Sequence, residues 1–171
     1  MQVKVTIKGL SPLLMNRFTE QNEAAVSGGT RPSVRAGNAS PRKIAETKLY
    51  ADKSGNLHLP GANVFAAIVD AGRFHKSGRR QLTTRDTSIV PAGLTVLDLV
   101  CPVTPNAWEV DARSVVIPAT GGRIMCYRPR LDEWQTVFTL DVDETMFSDA
   151  FVRELVADAG RKIGLGDYRP A

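Results

Sequence analysis

The chain opens on strict alternation. In residues 2–8 (QVKVTIK) the apolar Val3, Val5 and Ile7 take one side, and Gln2, Lys4, Thr6 and Lys8 take the other. A period of two is the mark of a half-buried β-strand. Gly9-Leu10-Ser11-Pro12 ends it, and Leu13, Leu14 and Met15 form a short apolar continuation. At 57–72 (LHLPGANVFAAIVDAG) the period turns helical, with Val64, Phe65, Ile68 and Val69 on one face. Pro60 and Gly61 suit the start of that helix, where no intrahelical N–H is lost. Residues 94–103 (LTVLDLVCPV) predict one continuous strand. Residues 109–117 predict another, after the turn at Thr104-Pro105-Asn106. Gly121-Gly122 is a turn. Segments 123–128 and 134–142 then predict a hairpin joined by RPRLDE, with Trp134, Phe138, Leu140 and Val142 on one face.

The last helix has the clearest signals. Ser148 is a good N-cap, and Asp149 suits the positive end of the helix dipole. Phe147 and Val152 sit at the positions of a hydrophobic staple. Phe151, Val152, Leu155, Val156 and Ala159 make the buried stripe, and Gly160 or Gly164 ends it.

Between Thr19 and Lys43 the periodicity dissolves. The segment SGGTRPSVRAGNASPRK is rich in Gly, Ser, Pro and Arg. It reads equally as a floppy insertion or as a basic arm that orders on nucleic acid or a neighbouring subunit. Residues 44–49 fit a short helix or a strand, and 50–57 a polar turn between two extended pieces. The order is therefore β-α-β-β-α, an α+β class. It matches a ferredoxin-like (RRM-like) core with a long inserted basic loop at 19–43 and an extra β-hairpin. The strand expected after the second helix is missing, so that slot is vacant, truncated or filled from elsewhere. At 171 residues the expectation is a single domain, 1–171.

Composition is that of an ordinary globular protein, 43% hydrophobic and 23% charged. The net charge of +4 matters less than its distribution. Residues 141–160 are acidic, while 28–43 and 73–85 are basic, so one positive and one negative face are expected. Unlike faces can also meet head to tail in an assembly. Cys101 and Cys126 lie in apolar, strand-like contexts and predict free thiols. No membrane-spanning run and no leader pattern is visible, so the expectation is cytoplasmic.

The catalytic inventory is thin. Of the two histidines, His58 reads as an edge-of-core residue. His75 sits in the basic loop and could serve as a general base, but no second proton-transfer partner is evident. Asp141, Asp143 and Glu144 read as a strand end approaching a helix, and no zinc spacing exists. No cofactor or metal is expected. Gly160, Gly164 and Gly166 make no nucleotide fingerprint. They suit either a turn that approaches a phosphate backbone or a helix cap followed by a tail. Charge runs are most often solvated surface, and from charge alone 73–85 reads that way first.

The remaining chemistry is that of binding a polyanion. The candidate RNA-binding set is Arg17, Arg31, Arg35, Arg42, Lys43, Arg73, Lys76, Arg79, Arg80, Arg123, Arg128, Arg161 and Lys162. Phe18, Phe74, Tyr127 and Tyr168 lie near these cations in sequence and could stack on unpaired bases. Aromatic content is only 6%, too low for a rich stacking platform.

Three stretches carry a family resemblance: VKVTIKGLSPLLMNR, LYADKSGNLHLPGANVFAAIVDAGR and AGRKIGLGDYRP. They resemble the RAMP superfamily, the ferredoxin-like RNA-binding proteins of CRISPR effector complexes, and most of all its backbone subunits. A first strand, an LPG helix start and a glycine-rich loop after the second helix recur in that family. Here they correspond to 2–10, 59–72 and 160–166. The resemblance implies a non-catalytic backbone subunit that grips guide RNA and oligomerises along it. Its partners would be guide RNA, a target strand, copies of itself and other effector subunits. The departure is the absent fourth core strand. Two other classes stay open: a phage-encoded self-assembling structural protein without nucleic acid, and a RAMP-type endoribonuclease using His75.

Overall fold

The computed structural model describes residues 1–29, 39–117 and 119–167, and within them the protein is mixed α and β. In chain order the first half holds β1 (Gln2–Lys8), β2 (Leu13–Leu14), α1 (Glu20–Ser27), α2 (Pro41–Glu46), β3 (His58–Pro60) and α3 (Gly61–Ala71). A 3-10 turn at Gly72–Phe74 leads to the small pair β4 (Lys76–Ser77) and β5 (Arg80–Gln81). Next come α4 (Val90–Gly93), β6 (Leu94–Val96), β7 (Val100–Thr104), β8 (Glu109–Val116), β9 (Arg123–Leu131) and β10 (Gln135–Val142). The last elements are α5 (Asp149–Asp158) and a π-helical turn, Ala159–Ile163. Among the described residues no strand follows α5, and no helix is long and apolar enough to cross a membrane.

The main sheet is antiparallel and runs β1-β10-β7-β3, with β6 also along β10. Its register sets Val3 opposite Leu140, Val5 opposite Phe138 and Ile7 opposite Thr136. One face of β10 is therefore buried at Thr136, Phe138, Leu140 and Val142. That face packs with Val64 and Ile68 of α3 and Val152 and Leu155 of α5 in one hydrophobic cluster. Gln2, Lys4, Thr6 and Lys8 point to the opposite, exposed face. The strand start is pinned, because the Met1 ammonium donates to the Val142 carbonyl at 2.7 Å.

The two core helices form where their patterns place them. Gly61 starts α3 because a Cβ there would come 1.9 Å from the Asp98 carbonyl oxygen, and its N–H donates to the Leu99 carbonyl at 2.9 Å. Ser148 caps α5 by accepting from Phe151 N at 3.3 Å, with Phe147 and Val152 buried beside it. The π-helical turn that continues it ends at Gly164, whose φ of 75° suits glycine.

Three expectations are corrected. Residues 94–103 are two strands, broken at Leu97–Leu99 where the Asp98 carboxylate turns in to accept from Thr139 N at 2.5 Å. Segments 123–131 and 135–142 are not a hairpin, because β9 pairs with β8 and β2 in a separate sheet while β10 enters the main one. The extra hairpin is β8–β9. The 19–43 stretch is not structureless, since α1 and the start of α2 fall within it. Thr19 caps α1 by accepting from Asn22 N at 3.3 Å, and Ser40 caps α2 by accepting from Lys43 N at 3.4 Å.

Candidate nucleic-acid interface

The basic loop after α3 is a built hairpin. Its root is locked onto the helix it follows. The Thr83 hydroxyl donates to the Val69 carbonyl at 2.6 Å, Leu82 N to the His75 carbonyl at 3.0 Å, and Thr83 N to the Gly72 carbonyl at 3.2 Å. Leu82 is buried in the core beneath it. β4 and β5 turn through Gly78, whose φ of 60° takes the left-handed region. Above this root lies an open groove lined by Lys76, Arg79, Arg80, Thr84, Thr87 and Ile89, among others. Among the described residues no carboxylate comes within 4.0 Å of Lys76, Arg79, Arg80 or Arg85. Their charge is uncompensated locally and faces water.

A second set of contacts fastens the hairpin to α5. His75 is buried, with Nε2 3.0 Å from Asp158 Oδ2 and its ring edge-on to Phe151. Lys162 Nζ reaches the same Asp158 oxygen at 2.6 Å and lies 4.8 Å from the centre of the Phe74 ring. The Lys162 hydrogen bond, then its charge and that of His75, hold the Asp158 carboxyl below the usual carboxylate range. Arg161 is exposed on the same turn. Residues 73–81 and 158–162 are thus brought together. Arg73 is at the surface but already holds Asp70, Nη2 to Oδ1 at 3.0 Å.

The other predicted cations gather elsewhere. Arg128 is buried, with Nε on the Asp167 carboxylate, so it is not the solvent-facing group expected from sequence. Asn16 donates to the same Asp167 oxygen at 3.2 Å. Lys48, which sequence reasoning passed over, donates to the Tyr127 carbonyl at 2.9 Å. Burial, then the neighbouring Arg128 charge, lowers the Lys48 pKa. Arg17 is exposed, 3.9 Å from Glu20. Arg42 stacks on Trp108 with its guanidinium carbon 4.2 Å from the ring centre, and Lys43 is exposed beside it on α2. Arg123 lies at the start of β9 and donates to the Ser114 hydroxyl at 3.3 Å. Arg31 and Arg35 fall outside the described residues.

The glycine-rich segment joins the two groups. It leaves the π-helical turn and closes against β2, where Asp167 N donates to the Leu14 carbonyl at 2.8 Å. Gly166, with φ of 85°, is required there, because a Cβ would come 2.6 Å from the Leu14 carbonyl oxygen. Beside it a cavity of about 190 Å³ is lined by Met15, Asn16, Tyr50, Asn63 and Asp167, among others. Cys101 is buried, which pushes its thiol up to about 11. Among the described residues no group of three His, Cys, Asp or Glu side chains could hold a metal.

Taken chemically, the hairpin offers cations without a carboxylate partner among the described residues, on a hydrogen-bonded root, with hydroxyls and the apolar Leu82 and Ile89 lining the groove. Such a surface holds anions without reading a sequence. No family model matches the chain, and no curated protein matches it.

Proposed function

We propose that this protein is a non-catalytic RNA-binding subunit of a ribonucleoprotein assembly, gripping the phosphate backbone with the Lys76–Arg85 hairpin. The observation that carries this reading is the set of cations over an open groove at Lys76, Arg79 and Arg80, with no carboxylate partner among the described residues. Among the described residues, Arg73, Arg113, Arg130 and Arg153 are each held by a carboxylate. A cation already paired has little left to give a phosphate, whereas an unpaired one releases bound counterions when it meets RNA.

The finer fold reading is a ferredoxin-like core. β1 beside β10 beside β7, all antiparallel, with α3 and α5 packed on one face, supports it. The sequence resemblance then suggests a CRISPR-type backbone subunit in the cytoplasm, with guide RNA, further copies and other effector subunits as partners. Burial of His75 between Asp158 and Phe151 disfavours its use as a free general base.

The test is binding of single-stranded RNA by nucleic-acid-free protein across a salt series. Affinity that falls steeply with salt is expected, with a large loss on Arg79→Glu plus Arg80→Glu that is uniform across RNA sequences. Absence of binding at low salt, or affinity indifferent to salt, overturns the reading.

A further inference from the structure

β1 is paired with β10 on one side, and among the described residues no strand pairs with its other side. Which backbone groups face that open edge follows from the ladder. Met1 and Val142 exchange both hydrogen bonds, at 2.7 and 2.9 Å, and Gly9 N donates to the Trp134 carbonyl at 2.8 Å. In an antiparallel pair such residues alternate with ones whose N–H and C=O point the other way. Val3, Val5 and Ile7 therefore direct their backbone toward β10. Gln2, Lys4, Thr6 and Lys8 direct theirs outward.

The geometry points to a second copy of this chain on that edge, its β1 antiparallel to the first across a two-fold axis at Val5. Opposed residues must share a face, so β1 can be centred on itself at Lys4, Val5 or Thr6 with most of its length in use. Centring on Lys4 sets Lys4 against its own copy, and centring on Thr6 sets Lys4 against Lys8. Like charges directly opposed are destabilising. Centring on Val5 sets Gln2 against Lys8, Lys4 against Thr6 and Val3 against Ile7, with no cation opposing a cation. It satisfies all the outward N–H and C=O groups of β1 in roughly eight ladder hydrogen bonds. It also joins the half-buried Val3, Val5 and Ile7 of each copy into one apolar row. The strand start is held in place, because Met1 exchanges both backbone hydrogen bonds with Val142, at 2.7 and 2.9 Å. The contact is isologous and closes on itself.

This inference stands on β1 alone and holds whether or not the hairpin binds RNA. The two also respond to salt in opposite directions. The dimer gathers Lys4 and Lys8 of both copies on one face, so added salt tightens it, whereas salt weakens an RNA complex.

Sedimentation equilibrium of nucleic-acid-free protein is expected to show a concentration-dependent dimer. Thr6→Pro removes an outward N–H while sparing the β1–β10 ladder. It should weaken dimerisation at least tenfold with an unchanged circular dichroism spectrum. In a Cys126→Ser background, Val5→Cys should cross-link to a covalent dimer under a copper catalyst in air, and Val3→Cys, which opposes Ile7, should not. A monomer at every concentration overturns the inference. So does cross-linking of Val3→Cys as fast as Val5→Cys, which also decides the matter if Thr6→Pro fails to fold.

Discussion

His75 Nε2 lies 3.0 Å from Asp158 Oδ2, the same oxygen that Lys162 Nζ reaches at 2.6 Å. One carboxylate thereby ties the root of the basic hairpin to the end of α5. The arrangement makes His75 a fastening residue, and its Phe151 edge contact adds to the hold. Replacing it with alanine leaves a void and removes a partner from Asp158. His75→Ala should cost about 1–3 kcal/mol in a denaturant titration, the usual range for a disrupted buried polar contact.

The same carboxylate sets a pH dependence. Its folded pKa is depressed, chiefly by the Lys162 hydrogen bond. A depressed acid contributes stability that is fully present above its unfolded pKa, near 3.9, and is lost as pH falls through the lower folded value. Asp52 and Asp143 are depressed too, by hydrogen bonds from Asn56 and Thr145. The informative quantity is therefore a difference. Melting temperatures of wild type and Asp158→Asn should converge as the pH is lowered below about 4, and lie apart at neutral pH with the variant lower. A gap that persists unchanged into acid would show that the Asp158 charge is not what holds the hairpin.

Two glycines make a matched pair. At Gly61 any Cβ would come 1.9 Å from the Asp98 carbonyl oxygen, a backbone atom that cannot swing aside. At Gly160, in a right-handed turn, a Cβ would meet nothing within 4 Å. Gly61→Ala should destabilise by roughly 3 kcal/mol, toward the upper end for overpacking a filled site. Gly160→Ala should be neutral or stabilise by up to about 1 kcal/mol, by restricting the unfolded chain. Urea midpoints of the two variants check both.

What the sequence disclosed was local. The alternation of Val3, Val5 and Ile7, the helical stripe of Val64 and Ile68, and the Ser148 cap each depend on neighbours a few residues away, and each forms as read. Pairing is not local. Nothing in RPRLDE says that β9 turns away to meet β8 and Leu13 while Phe138 takes its place opposite Val5. Helix α1 escaped because its apolar residues, Ala24, Ala25 and Val26, make no stripe. Thr19 with Glu20 and Glu23 behind it was the signal that could have found it. The break at Asp98 joins segments far apart in the chain, with its carboxylate on Thr139 N and its carbonyl against Gly61. Among the cations, sequence could count charges but not pairings. It ranked Arg128 with Arg79, although the first is buried on Asp167 and the second meets no carboxylate among the described residues.

That difference in pairing yields a prediction in which net charge is held constant. Arg79→Gln, Arg80→Gln and Arg153→Gln each remove one positive charge, and all three side chains are exposed. Arg153 is paired with Asp149, Nε to Oδ2 at 2.7 Å, and a hydrogen bond from it raises its pKa. If RNA is held by counterion release at the hairpin, each contact contributes about 0.7 to the slope of log affinity against log salt on a single strand. Arg79→Gln and Arg80→Gln should each reduce that slope by about 0.7, and the double variant by about 1.4. Arg153→Gln should leave the slope where it was. Fluorescence anisotropy with a labelled single-stranded RNA at several salt concentrations measures the wild type and the four variants. Equal slope changes for Arg79→Gln and Arg153→Gln would mean that the RNA senses overall charge rather than the hairpin, and the interface would then have to be sought elsewhere on the surface.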